Sequence, residues 1–312
     1  MAEFRKFGDQ HILKSLKEID ENTWLIGRFV LQRLPRSETG VMGLATWKEN
    51  DGASFVLKKP PTPLPEASAD IKSPHITLIH EAGDASAVWS IGNNALCKAR
   101  YTVPGITPES TTLKYVQEQN PSFRTPEVLY HAYDGDRNFL FLRRLPGMTL
   151  FKMWPSLDDK VRQKYVDEIV GMIREMEQWK GPLGGVDGQG IIENWVLVPR
   201  AKRDYTPQNL KANCEDLGMD HSDCVFFHAD LAPTNILVDG DAATGRISLV
   251  DFELAGFFPK GWIRTKFKVS WAFDLDESLN TDPELYRTMM EQALKVYGYE
   301  DYSEVWRQRR KR

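Results

Sequence analysis

One stretch, Val225 to Pro259 (VFFHADLAPTNILVDGDAATGRISLVDFELAGFFP), constrains the fold of this chain more than any other. It sets His228, Asp230 and Asn235 in an H-x-D-x-x-x-x-N loop and delivers Asp251 at the end of a strand-like SLVDFE segment. The apolar, β-prone runs ILV and ISLV flank the Asp/Gly-rich turn DGDAATG, which predicts a hairpin. Such a hairpin brings Asp230, Asn235 and Asp251 to one edge. A phosphoryl-transfer site needs a carboxylate to receive a hydroxyl proton and oxygen donors for Mg²⁺ beside a triphosphate. Asp230 suits the first task, and Asn235 with Asp251 suits the second. The spacing alone recurs by chance too often to stand by itself. The rest of the chain has to supply the context.

Taken together, His228-Ala229-Asp230-Leu231 with Asn235, then Asp251-Phe252-Glu253 and AGFFP, resemble the aminoglycoside phosphotransferase (APH) and choline-kinase-like family of small-molecule kinases, especially its fungal members. Ala229 stands where that family usually has Gly, and Phe252 where Trp is common. The resemblance implies an α+β, bilobal protein-kinase-like fold with a five-stranded antiparallel N-lobe and a mostly helical C-lobe. It also implies ATP and Mg²⁺ as cofactors and a hydroxyl of a small molecule as acceptor. His228 is expected to brace the loop beside Asp230, and Glu253 to stand near the metal or to be exposed. The protein-kinase set H-R-D-L-x-x-x-N, D-F-G and A-P-E is missing, which makes a protein substrate the weaker alternative. A non-catalytic kinase-like binding protein is the other alternative.

Upstream, ITLIHEAGDASAVWSIGNNALCKARYTV alternates apolar and other residues and breaks at Gly83-Asp84 and Gly92-Asn93-Asn94, the pattern of three antiparallel strands. Lys98 falls mid-strand, and Cys97 should face away from it. Pro108-Glu109 opens a helical run with an acid in its first turn, as the helix dipole favours. The resemblance gives Lys98 the α/β-phosphates and Glu109 the role of its partner, with Glu118 at the end of the same helix as the substitute. In the same picture the turn from Glu81 to Ser86, with Gly83 and Ser86, covers the phosphates. A further hairpin around Gly135-Asp136 completes the sheet. Residues Arg143 to Leu145, just before Pro146-Gly147, resemble the hinge whose backbone holds adenine, although Arg143 replaces an acidic residue common in the family.

The segment from His11 to Leu34 carries apolar residues at helical spacing, so one or two helices are expected there, followed by the Pro-rich linker LKKPPTPLPEASADIKSP. The expected organisation is a helical extension with linker over 1–75, an N-lobe over 76–145 and a C-lobe over 146–312. In the C-lobe, Val161, Tyr165, Ile169, Ile173 and Met176 trace one face of a long helix, and GPLGGVDGQGIIENW reads as a structural loop. The acidic Asp274, Asp276 and Glu277 lie where similar enzymes receive their acceptor, which would suit a cationic one.

With 312 residues, a net charge of −4 and 41% hydrophobic content, the chain reads as a globular protein of more than one lobe, not as a nucleic-acid binder. Cys97, Cys214 and Cys224 are widely spaced and form no C-x-x-C pair, which argues against a disulfide framework or a zinc site. No apolar run is long enough for a signal peptide or a membrane span, so a cytoplasmic location without membrane attachment is expected, as a monomer or weak homodimer. The basic tail RQRRKR reads as a solvated, frayed end, with a nuclear address as the alternative.

Overall fold

The computed structural model describes residues 11–38, 40–197, 203–241, 245–279 and 281–311. The chain forms two compact units: Met1–Pro104 with Pro126–Leu145, and Gly105–Thr125 with Pro146–Arg312.

The first unit is built of two five-stranded antiparallel sheets. Strands β1 (Leu16–Asp20), β2 (Thr23–Ile26), β3 (Phe29–Leu34), β4 (Ala45–Lys48) and β5 (Ser54–Lys58) assemble in the order β1-β2-β3-β5-β4. Strands β6 (Ile76–Ala82), β7 (Ser86–Ile91), β8 (Ala95–Tyr101), β9 (Val128–Asp134) and β10 (Arg137–Arg143) assemble in the order β6-β7-β8-β10-β9. The second sheet is the one expected from the alternating sequence.

The first sheet corrects the reading of His11 to Leu34 as helical. That segment is a 3₁₀ turn over Ile12–Ser15 followed by β1, β2 and β3. The short apolar runs fit either period, and two turns decide between them. Asn22 sits between β1 and β2, and Gly27, at φ +57°, joins β2 to β3. A side chain at Gly27 would also collide with Phe139 of the second sheet, so only glycine fits that turn. The linker after β5 is likewise pinned, since Ser68 pairs with Glu18, and the Glu18 carboxylate accepts from the Lys72 and Ser73 backbone N–H groups at 2.8 and 2.9 Å.

The two sheets share one core. Bulky Trp24, Trp47 and Phe55 of the first sheet lie in a single cluster with small Ala87, Ala95, Cys97 and Ala99 of the second, together with Phe139 and Phe141. Large residues on one side and small ones on the other let the layers interdigitate. Trp47 links them directly, stacking on Phe55 at 5.7 Å and meeting Phe141 at 6.3 Å. Fully burying those five aromatic rings contributes roughly 10 kcal/mol before conformational entropy is counted. Glu49 adds a polar clamp, accepting from Asn93 N–H at 2.7 Å and Asn94 N–H at 3.3 Å, and it packs so closely on Gly92 that no Cβ fits there. Along β8 the alternation is strict: Ala95, Cys97, Ala99 and Tyr101 are buried in the core, while Leu96, Lys98 and Arg100 are only half-buried.

The second unit contains α1 (Glu109–Glu118), β11 (Met148–Thr149), α2 (Leu150–Met153), α3 (Asp159–Met176), α4 (Pro207–Asp216), β12 (Cys224–His228), β13 (Ile236–Asp239), β14 (Arg246–Leu249), β15 (Ala255–Pro259), α5 (Lys260–Val269), α6 (Leu285–Val296) and α7 (Ser303–Arg310). The apolar face of α3 is buried along Tyr165, Val166, Ile169, Val170, Ile173 and Met176, and Asp158 caps its first turn by accepting from Val161 N–H at 2.8 Å. The glycine-rich stretch after α3 is a structural loop. Gly184 exchanges backbone hydrogen bonds with Phe257, and Gly190 O accepts from Thr107 N–H at 3.0 Å, just ahead of α1.

The basic tail is a second correction: it is not a frayed end. Arg307, Arg309 and Arg310 belong to α7, which is anchored by buried Trp306, whose indole N–H donates to Trp195 O at 2.6 Å. Arg309 also pairs with Asp216 at 2.6 Å. One buried tryptophan outweighs the local charge repulsion that the sequence pattern emphasises. Among the described residues no helix is long and apolar enough to cross a membrane.

Candidate active site

The loop after β12 is held from both sides. His228, fully buried, directs Nε2 at Val250 O at 3.0 Å, and its Nδ1 accepts from Asp230 N–H at 3.3 Å. These contacts require the neutral tautomer protonated on Nε2. The Tyr286 hydroxyl, also buried, donates to Leu231 O at 2.8 Å. The Asn235 amide nitrogen donates to Asp230 O at 3.0 Å and to the Asp230 carboxylate at 2.8 Å. That amide therefore turns its nitrogen to Asp230 and keeps Oδ1 as its remaining acceptor.

The expected hairpin follows, with β13 and β14 paired from Ile236↔Leu249 to Asp239↔Arg246, while β12 and β15 run antiparallel alongside. Val250 N–H donates to Asn235 O at 3.0 Å, which brings the end of β14 back to the loop. The chain then turns sharply at Asp251, whose φ of +66° and ψ of +61° lie in the left-handed region. For a residue other than glycine this conformation costs about 1–2 kcal/mol, a strain that structures keep mainly at functional positions.

Three carboxylates meet at that turn. Oxygens of Glu109, Asp251 and Glu253 lie within 4.8 Å of one another. Glu109, the first residue of α1, is buried and accepts from Phe252 N–H at 3.2 Å. Phe252 in turn packs its ring on His228 at 4.5 Å. Glu118, weighed as a substitute for Glu109, sits exposed at the far end of α1 beside Lys114, outside this group. Burial is the main cause that raises the Asp230 carboxyl from its ordinary value to about 7, and the charge of Asp251 adds to it. Lys266 opposes the rise, and Glu253 and Glu193 reinforce it.

The remaining candidates lie in the first unit. Lys98 is on β8, on the face opposite Cys97. Ser86 opens β7, and Gly83 lies in the turn between β6 and β7. Arg143 ends β10 and pairs with Glu127 at 2.5 Å, so its charge is engaged by a neighbouring acid, and Leu145 closes the unit. The acidic stretch of the second unit is engaged as well. Asp274 pairs with Arg287, and Asp276 accepts from Ser278 N–H at 2.8 Å.

Two features of the second unit were not foreseen. One is the place of Glu253 within the carboxylate group. The other is a fully buried ion pair, Glu193 with Lys266, whose ammonium donates to both carboxylate oxygens at 2.8 and 2.6 Å. The Trp195 backbone N–H and the Trp262 indole also donate to Glu193. The signal was a lysine among the buried positions of a helix, in GWIRTKFKV, but a helix face alone does not name its partner.

Comparison with known proteins agrees with the catalytic stretch. Among solved structures, the aminoglycoside phosphotransferase APH(3'')-Id of Streptomyces rimosus is 15% identical, with 74% of this chain and 90% of that chain covered and a TM-score of 0.48. The aminoglycoside-3'-phosphotransferase of type VIII is also 15% identical, with 76% and 94% covered and a TM-score of 0.48. A thermostable mutant of APH(4)-Ia, in ternary complex with AMP-PNP and hygromycin B, is 14% identical, with 76% and 92% covered and a TM-score of 0.45. No curated protein matches the chain. Residues 44–259, which take in the loop, the hairpin and the carboxylate turn, match the APH family, and the chain belongs to this phosphotransferase enzyme family.

Proposed function

We propose that the protein transfers the γ-phosphoryl group of ATP to a hydroxyl of a small molecule. The observation that carries this reading is the joining of two structures. A buried loop presents Asp230 under the Asn235 amide, and a strained turn gathers Asp251 with Glu109 and Glu253. In this reading the Asp230 carboxylate orients the acceptor hydroxyl and takes its proton as the new O–P bond forms. The bond from the γ-phosphorus to the bridging oxygen breaks, and ADP leaves. Lys98 neutralises phosphate charge, the turn at Gly83 to Ser86 meets the phosphates through backbone N–H groups, and backbone groups from Arg143 to Leu145 hold adenine. His228 keeps Asp230 in register through Val250 and does no chemistry itself.

The donor chemistry fits Mg²⁺. Asn235 offers an amide oxygen and Asp251 a carboxylate, with Glu253 and Glu109 close by, all hard oxygen donors. Mg²⁺ bound there would offset the charge of the transferring phosphoryl group. The acceptor need not be a cation, because the Asp274 charge is balanced by Arg287. Its identity is set by a pocket that the family allows to vary.

The test is ADP release from Mg·ATP by the purified protein, with a panel of hydroxyl-bearing metabolites as acceptors. One or more acceptors should stimulate release, and Asp230→Ala should lower turnover by roughly two to four orders of magnitude with nucleotide affinity nearly unchanged. Release that is insensitive to Asp230→Ala would contradict the reading.

A further inference from the structure

The turn between β6 and β7 carries an acid at its tip, Asp84. On a turn that meets a triphosphate this charge is out of place, since like charges a few ångströms apart repel. The structure directs it elsewhere. Asp84 Oδ1 accepts from the Ile12 backbone N–H at 2.6 Å, with the Tyr101 hydroxyl at 3.4 Å and His11 Nδ1 at 3.8 Å. Arg137 buttresses the same corner. It donates to Ser15 Oγ at 2.6 Å and to His11 O at 3.4 Å, and it lies over the Tyr101 ring at 5.6 Å.

A second observation gives the contact its importance. Strand β6 is at the edge of its sheet, and from Thr77 to Ala82 every residue is exposed. Its ladder is also irregular between Leu78 and His80. Side-chain packing therefore holds this half of the hairpin at its first residue, Ile76, and hardly beyond. The tip is fixed by the β7 ladder and by Asp84.

We propose that Asp84 is a positioning residue that latches the β6–β7 hairpin to the 3₁₀ turn at Ile12–Ser15, and so holds the backbone of Gly83 to Ser86 in place for the nucleotide phosphates. The latch makes the N-terminal sheet a working part of nucleotide binding. The inference rests on the phosphotransferase reading for its ligand, and on the first unit alone for its geometry.

The test compares Asp84→Ala with Asp84→Asn. Both remove the same charge, but asparagine keeps an oxygen for the Ile12 N–H, so the difference between them isolates the latch. Hydrogen exchange of residues 81–86 is read without nucleotide, and KM for Mg·ATP is read by ADP release. Losing one such hydrogen bond should speed exchange and raise KM by about 3- to 10-fold in Asp84→Ala, with kcat little changed and both effects largely reversed in Asp84→Asn. Unchanged exchange in Asp84→Ala would overturn the latch. Faster exchange with an unchanged KM would overturn its role in nucleotide binding. Absence of ATP turnover in the wild type would count against the phosphotransferase reading, while the exchange measurement would still decide the latch.

Discussion

Replacing Asp230 by asparagine should stabilise the protein while disabling it. Burial first, and the Asp251 charge second, raise the Asp230 carboxyl from 3.8 to about 7, with Lys266 partly opposing them. A group whose folded-state pKa is raised binds its proton more tightly in the folded state. Folding is then progressively disfavoured as the pH rises from the unfolded value toward the folded one. The gap is 7 − 3.8, roughly 3 pH units, and at about 1.4 kcal/mol each it makes folding around the ionised carboxylate cost about 4 kcal/mol at pH 8. At pH 5.5 only the part of the gap below that pH counts, or about 2 kcal/mol. Asparagine keeps an oxygen for the Asn235 amide, now at 2.8 Å, and carries no charge. Denaturant unfolding with EDTA and without nucleotide should show Asp230→Asn more stable than the wild type, with a gain at pH 8 about twice that at pH 5.5. Turnover should fall by about 10²- to 10⁴-fold. A gain that is absent at pH 8, or equal at the two pH values, would refute the electrostatic reasoning.

Other parts of the second unit give independent checks. Lys266→Met leaves Glu193 buried without its cation and should cost about 3–5 kcal/mol in denaturant unfolding, most of it recovered when Glu193→Gln is added. At Asp251, Asp251→Gly should be more stable than Asp251→Ala by about 1 kcal/mol, because only glycine adopts a φ of +66° without strain. Burial raises the Cys97 thiol and pushes those of Cys214 and Cys224 up to about 12, so a thiol reagent at pH 8 should label none of the three in the native protein and all three once it unfolds.

The parts legible in the sequence are those where one local pattern has a single physical outcome. The alternation in ALCKARY separates Cys97 from Lys98 on opposite faces, as found. The two apolar runs around DGDAATG fold back as β13 and β14 and return Asp251 to the loop. The N-terminal segment misled because Trp24, Leu25, Phe29 and Val30 satisfy helical spacing as well as a pair of short strands, and only the turns at Asn22 and Gly27 separate the two. What stabilises those strands is a second sheet distant in sequence, and no local window contains that information. Glu109 was found from its place at a helix start, but the approach of Glu253 depends on the left-handed turn at Asp251, which no residue type there signals. The pairing of Glu193 with Lys266 spans 73 positions and is set by how α5 packs.

The most direct measurement of the central claim is calorimetric titration of ATP into the protein with and without Mg²⁺, for the wild type and Asp251→Ala. The account predicts that Mg²⁺ strengthens ATP binding to the wild type by at least about tenfold, and that Asp251→Ala loses this Mg²⁺-dependent part while still binding nucleotide weakly. A wild type that binds no ATP at millimolar concentration with Mg²⁺ present, or an Asp251→Ala variant with the full Mg²⁺ effect, would contradict it.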